Sequence, residues 1–149
     1  MIQSLRADPS FSPCQVDDGD ELFPNGIFVF NVSKILEYLE KEPADVELVE
    51  IAVCQLDQGF SSLNESHLDT VDLSRPVVLA EISPGQYNLI DGHHRVEKAL
   101  RQGANTLLAY RLNVQQHIRF LTSNDAYLSY VEYWNGKVNR AVQGGIVPS

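Results

Sequence analysis

The stretch from Pro76 to Leu112 leaves few options for the fold. A β-branched, apolar run from Val77 to Ile82 meets the turn signal Pro84-Gly85-Gln86, and a second short apolar run, Tyr87 to Ile90, follows. Asp91-Gly92 stops that strand. Val96, Ala99 and Leu100 then recur at helical spacing up to Gly103, a natural C-cap. Thr106 to Leu112 returns to strand-forming composition. Such an order buries its apolar faces as helices laid on a sheet. The expected class is therefore α/β (α+β), a small mixed β-sheet with flanking helices, in which the hairpin and the strand Thr106 to Leu112 flank the helix that starts near Gly92.

The remainder reads as support for that centre. Residues 1–22 carry Asp8-Pro9, Ser12-Pro13 and the acidic run Asp17-Asp18-Gly19-Asp20-Glu21, a loosely ordered arm. The aspartates lack the terminal glutamate of an EF-hand loop and read as a solvated charge run. Ile27 to Val32 predicts a strand, and Ser33 predicts the cap of a helix with Ile35, Leu36 and Leu39 buried, ending before Pro43. Val46 to Leu56 predicts another strand. Gln58 to Asp69 is a polar loop whose His67 reads as surface, within reach of a ligand at most. Asn113 predicts a cap for a helix with Val114, His117, Ile118 and Leu121 on one face. A last helix, Asp125 to Trp134, carries the stripe Tyr127, Tyr130, Val131 and Trp134 and should stop at Gly136. That stripe is a packing face, or else the contact of a homodimer through the Tyr127–Trp134 helix. One domain over 23–139 and a frayed tail over 140–149 complete the reading.

The chain has 149 residues, 20 acidic against 11 basic, and a net charge of −9. Holding duplex DNA by its backbone needs a basic face to displace counterions, so DNA is not an expected partner. A helix start and one arginine still act locally on a small anion. No apolar run nears the roughly 20 residues that span a bilayer, and no signal-peptide segment opens the sequence, so no membrane association and a cytoplasmic location are expected. Two cysteines, Cys14 and Cys54, form no disulfide framework and no paired ligand motif, and no metal site is expected.

The chemistry concentrates in Asp91-Gly92-His93-His94-Arg95. A helix start presents N–H groups without intrahelical acceptors at the positive end of the macrodipole. Gly92 permits a tight turn and close backbone approach, and Arg95 brings a planar fork of donors suited to phosphate. His93, three residues before Val96, shares the inner side. His94, turned by about 100°, faces pocket or solvent near Glu97 and Arg101. Adjacent helical histidines diverge, which argues against a shared metal ion. If the turn holds an anion, Arg95 is a partly exposed surface residue, and Arg95→Ala should abolish ligand-induced stabilisation while costing the unliganded fold under about 0.5 kcal/mol. The alternative is structural: Asp91 as an N-cap, His93 as a half-buried satisfied ring, His94 and Arg95 as ordinary polar surface.

The run from Pro76 through Asp91-Gly92-His93-His94-Arg95 to Leu112 resembles the core of the ParB/sulfiredoxin-like superfamily, and in its motif is most similar to ParB-like free-serine kinases and uncharacterised relatives. The likeness spans about Ile27 to Leu112 and is specific from Pro76 onward. It implies a small ParB/sulfiredoxin-like domain with C-terminal helices. It also implies phosphate contact by Gly92, His93, His94 and Arg95, with a nucleotide (ATP or ADP) and Mg²⁺ as the cofactors. His93 stands where sulfiredoxin carries its cysteine, so sulfinic acid reduction is not expected. The helix-turn-helix domain that follows the ParB core is not evident.

Phosphoryl transfer to a small molecule would be the enzymatic use of such a site, with His94 and Asp91 as the catalytic candidates: Asp91 orienting His93 or touching the metal, His94 moving a proton or binding phosphate. No motif places the carboxylate that activates an acceptor; Glu40, Glu42 and Glu81 are unranked candidates. A non-catalytic regulatory or interaction module is the second reading, suited by its acidic surface to a basic partner. A ParB-like nuclease is the third, opposed by the charge.

Overall fold

The run Val77 to Ile82 has almost no polar interruption, which is the pattern of a strand covered on both faces. The computed structural model, which describes residues 4–25, 28–56 and 73–143, bears this out. Strands β1 (Leu22–Asn25) and β2 (Phe28–Asn31) pair as an antiparallel ribbon, and α1 (Val32–Lys41) leads to β3 (Glu47–Ala52). Then come β4 (Val77–Ser83), β5 (Gln86–Asp91), α2 (His93–Arg101), β6 (Thr106–Leu112), the short α3 (Val114–His117) and α4 (Asn124–Gln143).

The main sheet runs β3-β6-β4-β5, with β4 parallel to β6 and the other pairs antiparallel. It is therefore mixed, and the class is α+β, as the order of elements implied. Successive residues of β4 serve opposite layers. Val77 and Leu79 join Val96 and Ala99 of α2, while Val78, Ala80 and Ile82 join Phe28, Phe30, Ile35, Leu39 and the buried side of α4. The helix α2 thus covers one face, and the β1–β2 ribbon, α1 and α4 cover the other.

Several boundaries differ from the sequence expectations, each for a physical reason. Asn31, two residues before Ser33, caps α1: its side chain accepts from Lys34 N–H at 3.1 Å and donates to Gln15 C=O and Asp20. Ser33 instead accepts the Glu21 N–H through its hydroxyl. The strand expected over Val46 to Leu56 ends at Ala52, where the chain turns into a 3₁₀ turn, Val53–Gln55. Gly136 does not stop the last helix, which continues to Gln143. A mid-helix glycine costs about 1 kcal/mol, and burial of Val138 beyond it, at about 1.5–3 kcal/mol, outweighs that. The stripe Tyr127, Tyr130, Val131 and Trp134 faces the core, with Tyr130 fully buried.

Among the described residues the arm has no helix or strand before Leu22, and it is tied to α4. Leu5 and Asn135 exchange two hydrogen bonds, Asp8 N–H donates to the Tyr127 hydroxyl, and Phe11 stacks flat on Tyr127 at 3.9 Å. The polar loop with His67, and residues 144–149 of the expected tail, lie outside the described residues.

His117, expected at the core edge, is completely buried. The capping box of Asn113 and Gln116 holds its one-turn helix. Its Nε2 bonds to Glu81 C=O at 2.5 Å, which makes Nε2 the protonated nitrogen, and Tyr130 donates to the same carbonyl at 2.8 Å. Among the described residues no helix is long and apolar enough to cross a membrane. Cys14 and Cys54 are both free thiols.

Candidate functional site

β5 delivers Asp91 to the end of the sheet, where it pairs with Val78. Gly92 then turns the chain in the left-handed region, φ +104°, a conformation that costs other residues about 1–2 kcal/mol. There is a second demand for glycine. A Cβ at this position would lie 2.6 Å from Val77 Cγ1 and 3.2 Å from Arg95 Nε. The close approach foreseen for Gly92 is thus made first of all to the chain itself, with Val77 as the floor of the turn and Arg95 folded back beside it.

From Gly92 the helix starts at once, with Val96 N–H bonded to Gly92 C=O at 3.1 Å and no side chain capping the start. Arg95 Nη2 donates to Asp91 Oδ2 at 2.9 Å, and the pair is largely enclosed, at 11% and 18% side-chain exposure. Arg95 Nε is buried and has no hydrogen-bond partner. The expectation that Arg95 is a partly exposed surface residue is therefore corrected. It is a mostly buried cation, anchored at one donor and unsatisfied at another. Asp91 does not cap the helix; it positions Arg95.

His93 is half-buried and lies against the Phe23 ring of β1, centroids 5.5 Å apart and nearly parallel. Burial lowers its pKa, opposed by the Asp91 carboxylate and assisted by neighbouring His94, so the neutral ring is favoured. Phe23 is the site residue that sequence reasoning missed, since no local signal links residues seventy positions apart. His94 follows on the next helical direction. On the outer side Glu97 and Arg101 form an i,i+4 ion pair at 2.9 Å. Asp91, Gly92, His93, His94 and Arg95 thus lie together at the junction of β5 and α2, each of them partly buried.

The three unranked glutamates do not join it. Glu81 accepts from Gly85 N–H at 3.0 Å and Val114 N–H at 3.2 Å, fastening the β4–β5 turn to the start of α3. Glu40 faces a cavity under α1, on the sheet face opposite α2, and Glu42 faces a different cavity with Cys14 and Lys34. Among the described residues no group of three or more His, Cys, Asp or Glu could hold a metal ion. Comparison with protein-family models, with curated proteins and with solved structures returns no match.

Proposed function

We propose that this chain is a ParB/sulfiredoxin-like domain that binds a phosphate group at the Asp91–Arg95 turn, and that the phosphate belongs to a nucleotide, ATP or ADP with Mg²⁺. One observation carries the reading: Arg95 is held at the glycine turn with a buried Nε that has no acceptor, beside a helix start that no side chain caps. An orphaned guanidinium nitrogen costs about 1–3 kcal/mol, and phosphate oxygens would satisfy it while leaving Nη2 on Asp91 or replacing that bond. The helix start favours the same negative charge. His93, favoured as the neutral ring by burial, adds no charge of its own to the turn, and His94 is the catalytic candidate for moving a proton. Mg²⁺ would neutralise phosphate charge, with Asp91 the carboxylate beside it.

The employment of Glu81 in fastening a turn, and of Glu40 on the other sheet face, favours binding without transfer as the second reading: a regulatory module that keeps the anion site. A homodimer through the Tyr127–Trp134 helix would use its outer side, where Leu128 is 54% exposed, because the aromatic stripe is internal.

The test is thermal stability with pyrophosphate, ATP and ADP, with and without Mg²⁺. A ligand at 100 times its Kd adds about 2.7 kcal/mol. Arg95→Gln should remove that gain, and Arg95→Lys should restore part of it, keeping the charge but losing the fork. Absence of stabilisation by every phosphate compound, with an Arg95 variant that unfolds, would make Arg95 a structural tether and end the proposal.

A further inference from the structure

The turn accounts for one face of the sheet; the other face holds a cavity of about 360 Å³ between α1 and the starts of β4 and the middle of β6. Its apolar walls are Leu36, Leu39, Val78 and Tyr110, and two opposite charges, Glu40 and Arg75, share its rim. Ligand pockets combine such an apolar body with a few convergent polar groups. The two charges have a particular relation. They line the same cavity, yet among the described residues neither is engaged in an ion pair or hydrogen bond with the other or with anything else. Elsewhere among the described residues ion pairs do form: Asp91 with Arg95, Glu97 with Arg101, Glu47 with Arg111, Asp17 with Lys34.

We infer that this cavity binds a free apolar α-amino acid, its carboxylate on Arg75, its ammonium on Glu40 and its side chain against Leu36, Leu39 and Val78. A guanidinium takes a carboxylate through two parallel donors, and a glutamate takes an ammonium through charge-assisted bonds. An anionic ligand alone would meet Glu40 with like charge, and a cation alone would meet Arg75, so the rim selects a molecule that carries both. The volume suits a body the size of leucine or phenylalanine, whose burial supplies affinity. The site is independent of the turn: Val77 points to α2 and Gly92, whereas Val78, the next residue, points to the cavity. The amino acid is thus a bound ligand on the far face, not an acceptor at the phosphate site.

Calorimetric titration of the full chain with L-leucine, L-isoleucine, L-methionine and L-phenylalanine tests this, alongside 4-methylpentanoate and isopentylamine, which each lack one charge of leucine. The expected result is a Kd of about 1 mM or tighter for at least one amino acid. Each single-charge analogue should bind at least about tenfold more weakly than L-leucine. Arg75→Gln should bind L-leucine no better than isopentylamine, and Glu40→Gln no better than 4-methylpentanoate. Both side chains are exposed, so the variants keep the fold, and circular dichroism of the same samples verifies it. The inference is overturned if no amino acid binds, if the analogues match L-leucine, or if both variants bind as the wild type does. Pyrophosphate stabilisation in the two variants reports on the turn separately, so failure here leaves the phosphate reading standing or falling on its own result.

Discussion

Acidification should destabilise this protein through one histidine. His117 is wholly enclosed, its Nε2–H committed to Glu81 C=O and its Nδ1 buried without a partner, with the Phe30 ring edge-on at 5.2 Å. Burial is the main cause that pushes its pKa down from 6.5 to about 4, only partly offset by the Glu81 carbonyl. The folded state therefore keeps the ring neutral where the unfolded chain, titrating near 6.5, takes a proton. The contribution is fully present above 6.5 and is lost as pH falls from 6.5 towards 4. At 1.36 kcal/mol per pH unit the whole difference is worth about 3 kcal/mol, and about 2 kcal/mol of it falls between pH 7 and pH 5. Stopping at about pH 5 avoids most of the carboxylate titration. Urea unfolding at the two pH values, on the wild type and on His117→Gln, isolates the histidine, because the variant retains an N–H donor and does not titrate. The wild type should lose about 2 kcal/mol more than the variant. Equal losses, or a His117 imidazole that titrates near 6.5 in the folded protein by NMR, would refute the argument.

Other perturbations reach other parts of the structure. Gly92→Ala forces a Cβ into Val77 and a left-handed backbone on alanine, and should cost about 3 kcal/mol in urea unfolding; a loss below about 1 kcal/mol would show that the turn relaxes. Glu81→Ala orphans the Gly85 and Val114 amides, and should cost about 2 kcal/mol while leaving pyrophosphate stabilisation unchanged; loss of that stabilisation would place Glu81 in the phosphate site. Duplex DNA should not bind at micromolar protein in fluorescence anisotropy at physiological salt, given the net charge of −9; steeply salt-dependent binding would reveal a basic face hidden in the composition.

Much of the architecture follows from local chemistry that any neighbourhood would leave intact. The run Val77 to Ile82, apolar except for Glu81, had to be covered on both faces, and it is the inner strand β4. Asp91-Gly92 between a strand and a helical period had to be a turn, because only glycine takes φ +104° at little cost. Asn113, the expected cap of the helix after β6, does cap it, its side chain accepting from Gln116 N–H. Choices between chemically equivalent neighbours were decided elsewhere. Asn31 and Ser33 are both good caps, and Asn31 caps α1 because its amide also reaches Gln15 and Asp20 from the arm. Gly136 is a stop signal in isolation and a mid-helix residue here, since Trp134 and Val138 on either side of it find buried places.

The same division runs through the site. That Asp, Gly, His, His and Arg share one turn was legible, since the spacing of a helix start is short-range geometry. Whether Arg95 is surface or buried, and that His93 meets Phe23, was not, because burial is set by strands and helices brought together from distant positions. The charges of Glu40 and Arg75, unpaired among the described residues, belong wholly to tertiary structure: thirty-five positions apart in sequence, they share a cavity only because α1 packs over the sheet. Backbone preferences act over a few residues and can be read from them. Burial and pairing depend on which distant surfaces exclude water together, and only the folded chain specifies that.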